Sequence, residues 1–394
     1  MVIDTEIAVV GSGPAGATTA LLLARRGHRV VILDRTRFPR DKACGEGLMP
    51  PGVAVLRRLG LYDAVIATGA QPLLGVTYRQ QGNGPSAHAT FPTPSMGDQV
   101  SGLGIRRTTF DAVLVDALRR EPNITLLEGE RATGLVRDGS GVITGVSTRA
   151  DAVRASVVVA ADGLHSNVRS WGGLATPELP RGRYGLAGHW RMATQGRDDI
   201  RVTFCNGHEW YEAPVGPNLL LLSVLSGPSG PRLNARTYET AARAAVSDIH
   251  DAELVTGPLG AAQFEQRVRA VAEGNLFLVG DAAGYDDPTT GEGIAVGMLL
   301  AEHLALRIHQ ARTGESSDAE AVRRYRADHV RLVRDRQRLT RLALAMARTP
   351  WLSRRAIARA ATDPRALGKL LGINCGYQTF AALTPRDWLS LAGI

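Results

Sequence analysis

Apolar and polar positions alternate along this chain in two rhythms, one of period two and one near 3.6, and the opening residues show both. Glu6-Ile7-Ala8-Val9-Val10 is a short apolar run rich in β-branched residues, the pattern of a strand buried on both faces. A helical run from Ala17 to Arg26 follows, closed by Gly27, and a second strand, Arg29 to Leu33, ends in Asp34. Between the first strand and the helix stands Gly11-Ser12-Gly13-Pro14-Ala15-Gly16. Strand, G-x-G-x-x-G turn, helix, strand and acidic residue together form a dinucleotide-binding arrangement. Gly11 permits the tight turn, Gly13 lets a pyrophosphate approach the backbone, and Gly16 lets helix and strand pack closely. The free N–H groups at the helix start favour phosphate, and Asp34 is placed to accept from a ribose diol.

Further along, residues 35–48 are basic first and glycine-rich second, and they lead into a helix from Pro51 to Leu59. Residues 69–100, rich in Gly, Pro, Gln and Ser with strand-like pieces such as Leu74 to Tyr78, look like an excursion from the nucleotide unit. Arg107-Thr108-Thr109-Phe110-Asp111 opens an amphipathic helix carrying Val113, Leu114, Ala117 and Leu118 on one face. Ile124 to Leu127 reads as a strand, residues 131–149 as a meander, and Val157 to Ala161 as a buried strand ending at Asp162-Gly163. Long strands are expected over 182–227, a helix from Ala235 to Ile249, and a strand pair at Phe264 to Val268 and Asn275 to Val279. Gly280-Asp281 closes the last of these, and an apolar helix runs from Ala295 to Ile308. From Ser316 to Leu371 the pattern is helical, broken at Pro350 and Pro364. The fold class is α/β. We expect a Rossmann-type nucleotide domain (1–68, 101–180 and 270–312), an inserted β-sheet substrate domain (69–100 and 181–269) and a helical C-terminal cap (313–394).

Composition narrows the class. With 394 residues there is ample core, and no run approaches the ~18–20 apolar residues of a membrane span. Asp4 and Glu6 lead straight into a strand, so no signal peptide is expected, and Cys44, Cys205 and Cys375 form neither a disulfide framework nor a zinc site. A cytoplasmic setting follows as the expectation. The net charge of +8 rests largely on arginines between Arg323 and Arg365 at helical spacing, a solvated face rather than a nucleic-acid site. Weak contact with an anionic membrane surface or an acidic carrier protein stays open.

Three motifs, in order, resemble those of the flavoprotein superfamily of p-hydroxybenzoate hydroxylase fold, which holds aromatic hydroxylases, epoxidases, halogenases and geranylgeranyl reductases. They are the glycine turn with Asp34, then Asp162-Gly163 with Ser166 and Arg169, then Gly280-Asp281 with Pro288 and Gly291-Glu292-Gly293. The resemblance implies FAD, held by Gly11, Gly13, Pro14, Ala15, Gly16 and Asp34, with Arg35, Lys42, Cys44 and Gly45 from the basic stretch. It places Arg107 at the adenosine or pyrophosphate, a surface salt bridge being the plainer alternative, and Asp162 and Gly163 beside the cofactor. Asp281 would meet the ribityl chain. Pro288, Gly291, Glu292, Gly293 and Ile294 would bring a helix start to the flavin N1–C2=O, where reduced flavin is negative.

Two branches of the superfamily compete. Asp41 to Leu48 and Asp287 to Ile294 are similar to the geranylgeranyl reductases, and Gly284 and Ala295 stand where aromatic hydroxylases carry His and Asn. The reductases' Y-x-W-x-F-P box is only half present in Glu209-Trp210-Tyr211-Glu212-Ala213-Pro214. The leading expectation is an FAD monooxygenase, biosynthetic in role. NAD(P)H reduces it, and a C4a-hydroperoxyflavin hydroxylates or epoxidises an apolar small molecule. The alternative is a reductase of isoprenoid C=C bonds, and a third reading is a non-catalytic flavin-binding protein. Cys44, Glu46 and Glu292 are the candidate catalytic groups, each equally readable as a packed thiol or a turn-capping carboxylate. Trp190, Phe204, Trp210 and Tyr211, at strand spacing, line either a substrate pocket or a core, and His189 and His208 read as structural.

Overall fold

The structure, a computed structural model, describes residues 2–93, 101–149, 151–177 and 182–394. The end of the expected 69–100 excursion and the boundary at 180/181 lie outside the described residues.

The apolar runs of the opening motif form the middle of an eight-stranded sheet. Its parallel part runs Leu276–Leu278, Ala152–Ala160, Ile3–Val10, Val30–Asp34, Ile124–Glu128 across the sheet. Ile7, Ala8 and Val9 have no exposed surface, because the helix Pro14–Ala24 packs beside them and is covered in turn by the helices Arg107–Arg120 and Gly293–Arg312. The chain leaves the first strand to one side at Val10 and returns to its other side at Ala152, so the strand order reverses beside it. Ligands of such sheets bind outside the carboxyl ends of the strands at that reversal.

A second, seven-stranded sheet has the order Glu253–Ala262, Tyr184–Arg191, Leu219–Ser226, His208–Gly216, Asp199–Phe204, Gly75–Gln80, Ser86–Thr90. Two distant stretches of chain therefore meet in it, Gly75–Gln80 lying parallel to Asp199–Phe204. Successive side chains point to opposite faces. On one face Trp190, Trp210, Leu220, Leu222 and Val224 pack against Tyr238 of the helix Tyr238–Ala245. Gly188 leaves room for that tyrosine, since a Cβ there would lie 3.0 Å from its ring.

Most expected elements are found, with three corrections. Phe264 to Val268 is not a strand but a loop with isolated bridges from Gln266 to Tyr285 and from Val268 to Ala175. The strand there is Glu253–Ala262, whose Pro258 and glycines dilute the signal. It is an edge strand, where a missing N–H costs no ladder bond. The helix expected from Ala235 to Ile249 shrinks to Tyr238–Ala245 and a 3-10 turn, Ser247–Ile249. The C-terminal helices Asp318–Ala347, Pro350–Thr362 and Arg365–Cys375 break at the expected prolines. Along the first of them Arg324, Arg331 and Arg338 pair with Glu320, Asp328 and Asp335 one turn away. No described helix is long and apolar enough to cross a membrane.

Candidate functional site

The three motifs meet at the carboxyl ends of the parallel strands, around a groove of about 500 Å³. Gly11 (φ +101°) turns the chain so tightly that a Cβ would sit 2.4 Å from the Ala161 carbonyl oxygen, and one on Gly16 would sit 1.9 Å from that of Gly11. Gly13 differs. Its Cβ would meet only the Arg40 guanidinium, at 3.5 Å, so the protein leaves the space over it open. Gly280 (φ +63°) presses the third motif onto the first, its Cβ position 2.9 Å from Ala15. Arg169 ties the second motif in by donating to the carbonyls of Leu164 (3.0 Å) and Ala282 (3.2 Å). Asp162 accepts from Ser166 Oγ at 2.5 Å and from Val168 N–H at 3.2 Å, so its carboxylate holds the turn itself.

Charge is distributed along the groove. Asp34 accepts from the Ser12 N–H and hydroxyl (2.9 and 3.1 Å) and from the Thr36 N–H and hydroxyl (2.9 and 2.7 Å). Burial opposes its ionisation, but the charge of Arg40 and these hydrogen bonds outweigh it and hold the carboxyl below its ordinary range. Arg35, Arg40, Lys42 and Arg131 also line the groove, and Lys42 Nζ lies 3.7 Å from Asp281. Arg40 Nε is buried without a partner. Neither Arg40 nor Arg131 stands in a motif, and only the basic character of the stretch after Asp34 hinted at the former. Arg107 lines the groove but is committed to a buried bidentate pair with Asp111 (2.8 and 2.7 Å), not the surface bridge considered as its alternative.

A second cavity of about 200 Å³ opens from the groove, sharing Lys42, Ala43, Arg107, Leu164, Asp281 and Ile294 with it. Cys44, Gly45 and Glu46 form one wall, Tyr285, Pro288 and Gly291 another. The third is the free face of the seven-stranded sheet, where Gly185, Ala187, Ala213 and Ser223 are small enough to leave space. Cys44 Sγ accepts from the Glu46 N–H at 3.3 Å. Glu46 is buried at a left-handed φ of +52°, a conformation few non-glycine residues hold. Its carboxylate accepts from the Arg107 N–H at 2.8 Å and lies 2.7 Å from His189 Nε2. His189 Nδ1 is buried without a partner. This Glu–His pair spans 143 residues of sequence, and no local pattern announces it.

Four candidates are placed elsewhere. Trp190 and Trp210 are fully buried on the opposite face of the sheet, because strand alternation sends them away from their neighbours His189 and Tyr211. Phe204 stacks on Tyr78 at 6.2 Å in a separate cavity under the C-terminal helices. Glu292 turns beneath the helix Asp318–Ala347, 3.3 Å from Arg336, and does not line the 200 Å³ cavity. Burial, only partly offset by Arg336, pushes it up to about 8. Tyr211 does line that cavity. Beside it Arg183 is held between Glu209 and Asp287 (3.2 Å to the latter) and also donates to Thr289 at 2.8 Å. Two carboxylates share one guanidinium there, and burial with the surplus negative charge pushes Glu209 up to about 7 despite Arg183.

Residues 4–336 match the FAD binding domain family; the chain belongs to it and is an FAD-dependent oxidoreductase. It is 29% identical to the menaquinone reductase of Mycobacterium tuberculosis over 326 residues, 75% of this chain and 74% of that one. To 6-methylpretetramide 4-monooxygenase of Streptomyces rimosus it is 28% identical over 387 residues, 88% of this chain and 90% of the relative. The crystal structure of p-nitrophenol 4-monooxygenase PnpA from Pseudomonas putida superimposes with a TM-score of 0.77 at 20% identity, covering 96% and 99% of the two chains. That likeness is one of fold.

Proposed function

We propose that the protein is an FAD monooxygenase that draws reducing equivalents from NAD(P)H and hydroxylates or epoxidises an apolar small molecule. The observation that carries the reading is the apolar cavity opening directly onto the nucleotide groove and walled by small residues. The likeness to the Streptomyces rimosus monooxygenase along 88% of the chain supports it.

The residues present fit FAD. The open space over Gly13 and the unpartnered Arg40 Nε beside it suit a pyrophosphate, and Arg35, Lys42 and Arg131 add positive charge. Asp34 would accept from the ribose and Asp281 from the ribityl hydroxyls, with Gly280 keeping the backbone close. The start of the helix Gly293–Arg312 would face the flavin ring, beside Pro288, Gly291 and Ile294. When bound, the flavin supplies the redox and oxygen chemistry. On this reading residues 1–68, 101–180 and 270–312 hold the cofactor, and 69–100 with 181–269 hold the substrate.

The chain's own groups then orient and exclude. The aliphatic cavity wall keeps water from the reacting centre, which strengthens every polar interaction left inside. Arg107, fixed by Asp111, holds Glu46 in place through its backbone N–H. Glu46, at the cavity wall, shares a hydrogen bond with His189, and Cys44 packs beside Glu46.

The test is rapid mixing of the reduced enzyme with oxygenated buffer, with and without candidate substrates, and product analysis under ¹⁸O₂. A transient species distinct from reduced and oxidised flavin, with label in the product, is expected. The menaquinone reductase relative and Cys44 at the cavity favour a second reading, reduction of an isoprenoid or quinoid double bond. Substrate-dependent flavin reoxidation without oxygen, and no label under ¹⁸O₂, would install it instead.

A further inference from the structure

Behind the substrate cavity lies another, of about 90 Å³, between the far strands of the seven-stranded sheet and the C-terminal helices. Its lining is almost wholly apolar, with Val202, Phe204, Leu342, Met346, Ile357 and Leu371 contributing. A cavity lined in this way stays dry and favours hydrocarbon. Tyr211 lines both cavities, and the turn Pro288–Thr290 completes the partition, Pro288 facing one chamber and Thr289 with Thr290 the other. The Tyr211 hydroxyl is buried, with no more than a weak bond to Thr289 beside it, so swinging the ring aside breaks no strong hydrogen bond.

We infer that the two cavities are chambers of one substrate site, with Tyr211 as the movable wall between them. The substrate is then amphipathic: a compact reacting head sits beside the flavin groove, and a flexible hydrocarbon chain passes Tyr211 into the chamber under the C-terminal helices. This rests on the reading of the first cavity as the substrate site. It assigns the helices Asp318–Ala347, Pro350–Thr362 and Arg365–Cys375 a part in specificity.

The probes are 4-alkylphenols from ethyl to nonyl, titrated into the oxidised holoenzyme and followed by flavin absorbance. In the wild-type protein Kd should fall by about fourfold per added methylene, continuing past the length that fills the first chamber, and then level off. Ala343→Phe and Ala360→Phe, each filling the rear chamber from a different helix, should bring the levelling to shorter chains. Flavin content and the thermal midpoint report whether each variant is folded. The inference is overturned if wild-type affinity levels off at short chains, if both variants keep the wild-type chain-length profile, or if no member of the series binds. The reaction assignment fails separately: a persisting chain-length profile with no transfer of label from ¹⁸O₂ leaves the two chambers standing and removes the monooxygenase.

Discussion

The two faces of the seven-stranded sheet are built from the same three strands and do opposite things. One carries Trp190, Trp210, Leu220, Leu222 and Val224 and is filled to its last side chain by Tyr238. The other carries Gly185, Ala187, Ala213 and Ser223 at the neighbouring positions and is left partly empty. Because the side-chain period of a strand is two, a one-residue step separates a core from a binding site. The hydrophobic payload is concentrated on one face so that the other can afford small residues. A cavity in a sheet protein is therefore located by where the large residues are not.

Changes on the two faces should separate accordingly. Trp210→Ala should cost about 3–5 kcal/mol in denaturant unfolding, the range for truncating a fully buried aromatic. A loss under 1 kcal/mol would mean that the Trp face is not the core it looks like. Glu209→Gln tests the polar edge of the cavity face. The proton that burial keeps on Glu209 stabilises the fold below its unfolded value of 4.5, and that stability is lost as pH rises through about 7. Unfolding measured from pH 5 to 8 should show a decline on the order of 1–3 kcal/mol in the wild type and a flatter curve in the variant. Ala213→Phe fills the empty face. It should weaken 4-ethylphenol binding by roughly tenfold or more, about 1.4 kcal/mol, and unchanged affinity would place the substrate elsewhere. Tyr211→Phe removes a hydroxyl that makes no more than a weak bond to Thr289, so stability should hold or rise by up to about 1 kcal/mol. A clear loss would reveal a stronger bond the hydroxyl makes.

The nucleotide groove was legible in the chain and the substrate cavity was not, for a physical reason. Gly11 and Gly280 hold left-handed backbone in tight turns and Gly16 meets the Gly11 carbonyl five residues before it, so the local backbone demands them and their spacing is written in short segments. Glu46, His189, Tyr211 and Tyr285 meet only through tertiary packing, and period-two patterning shows that a strand has two faces without showing which one looks at the cofactor. That is why Trp190 and Trp210 were open to both readings. The strand Glu253–Ala262 leaves no clear mark in the sequence because edge position, which excuses Pro258, is a property of the sheet and not of the segment.

The groove also sets an order of events during synthesis. Gly11, Gly13, Ala161, Asp162, Gly280 and Gly293 are among its walls, and the strand Leu276–Leu278 borders Ala152–Ala160 only once about 70% of the chain exists. A nascent chain shorter than this has the glycine turn but one open flank. Flavin capture is therefore expected to wait for the third motif, which joins the groove only after the long insertion between the second and third motifs has been made. Ribosome-stalled chains ending before Leu276 should therefore retain no flavin in a fluorescence-release assay, and chains extended beyond the helix Gly293–Arg312 should begin to.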